Sequence, residues 1–335
     1  MNKKQAKNGN KVLVTGGAGF IGSNLVDSLI SEGKQVIVLD NLMTGKRSQV
    51  NKKAKFINVD IRNLKKIKPY FRGVDCVFHL AAVARIQPSI KDPVPTMESN
   101  VMGTLNVLLA ARDARVRRIV YSASSSSYGD QETLPLHEEM SSKFKSPYAL
   151  SKYVGEELCR LFSNLYKIET VSLRYFNVYG PRQLLTGAYA TVVGIFLKQL
   201  RSGKPLTIVG DGNIQRDFTH VSDVVRANIL ASVSKKVGNG EMLNIGTGRN
   251  YSINQVAAMI LSKEDDKSSS PVAQLAIASG NQNQVIIASA LSTKKVAYIP
   301  ARPGETRKTL ANNSRARDLI GWKPTVSLES GLAEL

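Results

Sequence analysis

Tyr148 and Lys152 stand four residues apart in "SPYALSKYVGEE", so on a helix both project from one face. An ammonium beside a phenol stabilises the phenolate, which lowers the Tyr pKa towards values where it exchanges a proton with an alcohol or sugar hydroxyl. On its own such a pair is an ordinary surface feature. It gains meaning from "YSASSSSYGD", residues 121–130, where four consecutive serines follow an apolar run and close at a Tyr-Gly turn. A Ser-rich linker would not follow a strand so abruptly, and open α/β sheets bind ligands beyond the carboxyl ends of their strands.

A second constellation lies near the start. "TGGAGFIG", Thr15 to Gly22, contains overlapping G-x-x-G-x-x-G and G-x-G-x-x-G patterns between a strand-like run and a helix-like one. Without side chains the backbone can turn tightly and approach a pyrophosphate, while the helix N-terminus offers oriented N–H groups to the anion. Asp40 ends the next apolar run, roughly 20 residues on, where a carboxylate accepts hydrogen bonds from ribose hydroxyls. The same carboxylate repels a 2′-phosphate, so NAD is expected rather than NADP.

The elements that must position these groups can be read from periodicity. "KVLVTGGAGFIGSNLVDSLISEGKQVIVLD" is an apolar run, a glycine turn, an amphipathic helix and a second apolar run, a βαβ unit. The alternation continues through "AKFINVD", "VDCVFHLAA", the helical "TLNVLLAARDAR" and "VRRIVYSAS". Continuous apolar strands indicate a parallel sheet covered on both faces. The expected fold class is α/β, a Rossmann-type doubly wound parallel sheet. From about Gly180 the rhythm becomes turn-rich, with strand-like "PLTIVGDG" and a closing "ARPGETRKTLANNSRARDLIGWKPT", as in a smaller α/β C-terminal domain. The expected boundaries are 10–178 for the first domain, with return segments near 222–248, and mainly 179–335 for the second. The excursion over 262–295 is assigned no chemistry.

Composition narrows the class. The 335 residues are 42% hydrophobic, ordinary for a globular chain. There is no run of about 18 apolar residues and no secretory leader in "MNKKQAKNGNK", so a cytoplasmic protein with no membrane partner is expected. The two cysteines, Cys76 and Cys159, have neither disulfide density nor metal-ligand spacing and read as buried thiols. With three histidines, no metal site is expected. The formal charge of +20 would attract polyanions. The basic residues, however, fall in short separated groups such as "KKIK" (65–68) and "RVRR" (115–118), read here as solvated faces that also serve anionic small substrates. No nucleic acid partner is expected.

The segments "TGGAGFIG", "DNLMTG", "VDIRN", "HLAA", "SASSSSYGD", "SPYALSKY", "LRYFNVYGPRQ" and "QRDFTHVSD" occur in an order that resembles the extended short-chain dehydrogenase/reductases. The branch most similar is that of nucleotide-sugar epimerases and dehydratases, and the resemblance spans nearly the whole chain. It implies NAD contacts from Gly16, Gly19, Phe20, Ile21 and Gly22 at the pyrophosphate and from Asp40 and Asn41 at the ribose. Asp60 and Ile61 would lie by the adenine, Leu80, Ala81 and Ala82 along the cofactor, and Asn100 near it. Tyr148 and Lys152 would hold the nicotinamide ribose and Phe176 the nicotinamide. Asn177, Arg216 and Arg302 would bind the nucleotide diphosphate, making the second domain the nucleotide-sugar-binding one. A homodimer is also implied.

The dehydratases of this branch carry Thr-Asp-Glu at the end of the catalytic strand, and the decarboxylases usually keep a Glu there. Here those places are Ser124, Ser125 and Ser126. Without an acid to drive elimination, a 4-keto sugar can only be reduced back, which resembles the UDP-sugar 4-epimerases. Ser124 would then hydrogen-bond O4 while Tyr148 moves the proton. "GPRQLLTGAYATVV" is similar to the subgroup acting on N-acetylhexosamines, with Gln183, Thr191 and Val192 at its pocket positions. Thr309 falls where a bulky Tyr in some members excludes the acetamido group, so UDP-GlcNAc/UDP-GalNAc are expected alongside UDP-Glc/UDP-Gal. Asn312 replaces a common Asp and is expected to loosen the second domain. The competing readings are a dehydratase or decarboxylase with atypical residues, and a silent NAD-binding protein with a basic interaction surface.

Overall fold

The computed structural model describes residues 10–187, 190–265 and 295–335; most of the 262–295 excursion lies outside the described residues. The strands of the first half are β1 (Lys11–Thr15), β2 (Gln35–Asp40), β3 (Lys55–Asn58), β4 (Cys76–His79), β5 (Arg118–Ser124) and β6 (Glu169–Tyr175). The later ones are β7 (Val178–Tyr179), β8 (Leu206–Val209), β9 (Gln215–Asp217), β10 (Thr219–His220), β11 (Asn239–Ile245), β12 (Asn250–Ser252) and β13 (Val296–Ile299). Helices are α1 (Phe20–Ser31), α2 (Leu64–Ile67), α3 (Ile86–Lys91), α4 (Val94–Met97), α5 (Gly103–Asp113), α6 (Pro147–Tyr166), α7 (Val192–Arg201), α8 (Val221–Val233), α9 (Ile253–Asp265), α10 (Ser314–Ile320) and α11 (Leu328–Ala333).

Seven strands form one parallel sheet in the order β11-β6-β5-β4-β1-β2-β3. The apolar runs are continuous because both faces are covered, and successive side chains alternate between them. Val12 and Val14 pack with Leu25 and Val26 of α1, Val224 and Ala227 of α8, and Trp322. Leu13 points the other way, into a cluster with Val107 and Leu108 of α5 and Cys159 and Phe162 of α6. Between β1 and β4 the strand order reverses, and the loops leaving their carboxyl ends part to open a crevice.

Segment 221–245 returns to this sheet: α8 packs on α1, and β11 pairs with β6. The remaining elements enclose a separate core in which Val193, Phe196 and Leu197 of α7 meet Val256 and Ile260 of α9, Ile208, Val296 and Leu332. Three two-stranded pairings frame it: β7 with β10, β8 with β13, and β9 with β12.

Buried polar hubs join the parts. Asp217 accepts hydrogen bonds from the Thr247 and Gly248 amides, the Thr247 hydroxyl and the Ala311 amide. Asp223 accepts from the Thr325 and Val326 amides and so fixes the segment before α11. Asn312 is accommodated locally, its side-chain oxygen accepting the Ser314 amide. The reading of the basic groups as solvated faces needs one correction. Arg118, 3% exposed, donates to Glu169 and to the carbonyls of Ala231, Ser234 and Val237, because these oxygens end α8 and its following turn without partners of their own. Both cysteines are buried and free, and burial pushes the Cys76 thiol up to about 12.

Candidate active site

A cavity of about 540 Å³ runs from the β1–α1 turn, past the ends of β4 and β5, to the second core. At one end Gly16 has φ +72°, and a Cβ there would lie 2.7 Å from the Ala81 amide nitrogen. A Cβ on Gly22 would collide with the Gly16 carbonyl oxygen. Gly19 caps α1 with no side chain, so the first-turn amides of Phe20, Ile21 and Gly22 face the cavity with no intrahelical partner. Asp40 accepts from the Ala18 amide at 2.9 Å and the Leu42 amide at 2.8 Å. One lone pair remains on each oxygen, and burial raises its pKa. Asn41, Ile61, Leu80, Ala81 and Ala82 complete this wall. A glycine cradle, open amides and a carboxylate with spare acceptors fit a dinucleotide's pyrophosphate and ribose.

Four of the residues given contacts above do not line the cavity. Asp60 sits behind Asn41, accepting from its amide at 3.0 Å and pairing with Arg62. Asn100, within a π-helical turn between α4 and α5, clamps the Val83 amide and carbonyl at 2.8 and 3.0 Å and shapes the loop after β4 from behind. Phe176 is fully buried against Tyr128, Leu136 and Ala311. Gln183 is buried behind Thr191, accepting its hydroxyl hydrogen at 2.7 Å, with the Nε2 group unpartnered among the described residues.

At the middle of the cavity β5 ends at Ser124, whose oxygen accepts the Ser126 amide at 3.2 Å and caps the one-turn helix Ser125–Tyr128. Helix α6 starts with the Ser146 cap and Pro147, which sets Tyr148 in its first turn facing Ser124. Lys152, one turn on, is 4% exposed, donates to the Ser122 carbonyl at 2.7 Å and lies 5.0 Å from the Tyr121 ring centre. Burial lowers its pKa to about 8. The expected depression of Tyr148 by Lys152 is not what the site produces. Burial raises the phenol above its ordinary value, and the Ser124 hydrogen bond and the Arg85 charge pull against it. Any further stabilisation of the phenolate requires a cation that enters with a ligand.

Beneath the site, Thr15, His79 and Thr104 form a buried chain at 2.7 and 2.9 Å. Burial holds His79 neutral, lowering its pKa from 6.5 to about 3, with the Lys152 charge adding to the effect. The folded pKa is the lower one, so the unfolded state takes up the proton first. This contribution to stability is whole above pH 6.5 and lost as pH falls towards 3. His79→Gln should flatten the acid limb of a chemical-denaturation stability curve between those values; an unchanged limb would contradict a neutral His79.

At the far end Asn177, at φ +25°, donates to the Asp217 carbonyl at 2.9 Å and to the Thr309 hydroxyl at 3.3 Å. Thr191 caps α7 and lines the cavity with Val192, Arg302 and Thr309. Arg216 also faces inward, 3.8 Å from Glu305, and burial lowers its pKa. Sequence reasoning passed over Arg85, Arg182 and Glu305, which also line the cavity. Arg182 stood inside the quoted "GPRQ" and Glu305 inside the quoted "ARPGETRKTLAN", while Arg85 had no periodic or motif signal. Among the described residues no cluster of metal-ligating side chains occurs, and no helix is long and apolar enough to cross a membrane.

Fold and cavity together define an NAD-dependent enzyme of the Rossmann type. Residues 12–246 match the NAD dependent epimerase/dehydratase family, and the chain belongs to it. Among solved structures, the UDP-glucose 4-epimerase of Thermotoga maritima with UDP-glucose is 35% identical, with a TM-score of 0.84 and coverage of 97% of this chain and 96% of that one. The Thermus thermophilus UDP-glucose 4-epimerase complex with NAD is 34% identical, with a TM-score of 0.82 and 96% of each chain covered. The UDP-N-acetylglucosamine 4-epimerase of Methanobrevibacter ruminantium, in complex with UDP-N-acetylmuramic acid, is 31% identical, with a TM-score of 0.83 and 97% and 96% covered.

Proposed function

We propose that the chain inverts C4 of a UDP-sugar, UDP-GlcNAc/UDP-GalNAc and/or UDP-Glc/UDP-Gal, through a transient 4-keto sugar. Residues 10–178, with 222–248, hold the cofactor and 179–335 mainly the nucleotide sugar. The observation that carries this reading is the acid-free end of β5: Ser124, Ser125 and Ser126 face the cavity beside Tyr148. The acids lining the cavity, Asp40 and Glu305, lie at its cofactor end and against Arg216. Among the described residues no general acid therefore stands where water or carbon dioxide would be expelled.

NAD, when bound, would supply a hydride acceptor and donor for C4. The chain's residues do the rest. Tyr148 takes the O4 proton and later gives it back, so neither atoms nor electrons change in sum. Ser124 holds O4 by a hydrogen bond, and Lys152, fixed on the Ser122 carbonyl, keeps its charge by the cofactor ribose and Tyr148. Asn177, Arg216 and Arg302 grip the diphosphate, an anchor about which the sugar can turn its other face to the cofactor. Gln183, acting through Thr191, sets the start of α7 along this pocket. The small Thr309 side chain supports acceptance of an acetamido group. Exposed Leu161, Leu165 and Tyr166 on α6 support a homodimer, working in the cytoplasm.

The test is to incubate the purified protein with each UDP-sugar and no added reductant. The expected product has the substrate's mass and the inverted C4 configuration. A product lighter by water or carbon dioxide would overturn the reading.

A further inference from the structure

The segment that follows β13 crosses from the second core to the large sheet and is tied on both sides. Residues 302–307 bring Arg302, Glu305 and Thr306 to the cavity. On the side of the large sheet, Gln87 of α3 donates to the Pro303 carbonyl at 2.7 Å, and the Lys145 ammonium donates to the Glu305 carbonyl at 2.7 Å. Lys145 also pairs with Asp130, whose other oxygen accepts the Arg307 amide at 2.7 Å. On the side of the second core, the Gln215 amide donates to the Arg307 carbonyl at 3.0 Å, which sets this end of the segment beside Arg216 of β9. Gly304, at φ +77°, lets the chain pass close: a Cβ there would lie 2.7 Å from Cδ1 of Ile90 and 3.2 Å from the Lys145 carbonyl oxygen.

Where these ties are rooted gives them meaning. Asp130 follows by two residues the one-turn helix Ser125–Tyr128 that Ser124 caps, and Lys145 precedes Ser146, the cap of α6 with Tyr148 in its first turn. Ser89 of α3, two residues after Gln87, accepts the Tyr148 amide at 3.2 Å. The segment is therefore bound to the same three pieces of chain that hold Ser124 and Tyr148. Pro303, whose carbonyl Gln87 holds, is the chain neighbour of Arg302. Neither Asp130 nor Lys145 lines the cavity, so what they do to a ligand they do through the segment. Left alone, the stretch Arg-Pro-Gly-Glu-Thr-Arg has little apolar surface to fix it, and a backbone left free loses entropy when it closes on a ligand. Holding the stretch beforehand removes that loss from the binding step.

We propose that Lys145 and Gln87 are positioning residues for nucleotide binding: by mooring residues 302–307 in advance they hold Arg302 ready, so that Arg302 and Arg216 act on one diphosphate. The inference rests on the diphosphate grip assigned to Arg302 and Arg216 above. Its test therefore reads the binding of UDP as well as turnover.

The full-length protein with its bound NAD is prepared as Lys145→Met, Lys145→Arg and Gln87→Leu, each with and without Arg302→Met, and UDP binding is measured by calorimetry beside steady-state kinetics. Gln87→Leu changes no charge and Lys145→Met removes no group that lines the cavity, so together they separate mooring from a field effect and from a lost contact. Each should weaken UDP binding roughly threefold to tenfold and raise KM by the same factor. The kcat should stay within about twofold of wild type, with NAD content unchanged. Lys145→Arg, which keeps the charge and its donors, should recover most of the affinity. In the Arg302→Met background Lys145→Met and Gln87→Leu should add little, because the group they position is gone. UDP affinity unchanged in both variants, or losses that add in full to that of Arg302→Met, would overturn the proposal. The Lys145 side chain is 33% exposed and Gln87 half-buried, so both variants should fold, and Gln87→Leu with its Arg302→Met partner carries the test if Lys145→Met does not. UDP binding that follows this cycle without any epimerisation would instead count against the proposed function and leave the moorings standing.

Discussion

Tyr148→Phe is expected to lower kcat by about 10²–10⁴-fold while leaving the fold and bound NAD in place. The substitution removes one oxygen from a side chain held by the first turn of α6 and by the Tyr148 amide donating to Ser89 at 3.2 Å. Neither support involves the phenol. What disappears is the group facing Ser124 that can take the O4 proton as the C4 hydride leaves. Without it no other side chain of the trio Ser124, Tyr148 and Lys152 is placed to take that proton. The KM should change little, because the diphosphate grip proposed for Asn177 and Arg216 does not involve the phenol. Steady-state kinetics and the NAD content of the purified variant check this; activity within a few-fold of wild type would remove Tyr148 from the proton path.

The second large effect concerns the glycine turn. Gly22→Ala places a methyl group against the Gly16 carbonyl oxygen and Gly17, with backbone on both sides. Flexible side chains could yield, but here the turn itself must open. Gly16 is in turn pressed against the Ala81 amide. Opening the turn spoils the amide cradle at the start of α1 and disturbs the contact between the ends of β1 and β4. The variant should be purified without NAD and should show a lower melting temperature, and excess NAD should not restore full activity. Gly33→Ala is the contrasting control. Its φ of +79° strains any replacement, yet nothing lies within 4 Å of a Cβ there, so NAD binding should survive. Full NAD occupancy in Gly22→Ala would mean that the turn is not the cradle.

These effects track what was legible in the chain. The βαβ start, the glycine turn and the Tyr148/Lys152 spacing are local patterns, and local patterns survive into structure when tertiary packing agrees with them. The glycine turn with Asp40 and the Ser124–Ser126 strand end were readable for this reason, while Asn41, Ile61 and Leu80 to Ala82 entered through the resemblance. The short strands β7, β9, β10 and β12 gave no period, since two or three residues carry no repeat and their partners are far away in sequence. Phe176 illustrates a different limit. Its role was taken from the resemblance, and which way it faces depends on Tyr128, Leu136 and Ala311, brought together only in the fold. The same holds for Asn100 and Gln183, which stand one layer behind the cavity and act by holding Val83 and Thr191. Arg118 and Arg174 looked like any other basic residues, and only their burial shows them to be internal struts.

The central claim is that C4 loses a hydride within the cavity and regains the same one on its other face. UDP-glucose carrying deuterium at C4, turned over in ordinary water without added cofactor, tests it most directly, and the corresponding UDP-GlcNAc extends the test to the N-acetylated sugar. The account predicts a C4-inverted product of unchanged mass that keeps its deuterium at C4. Loss of the label to solvent, or a product lacking the elements of water, would contradict it.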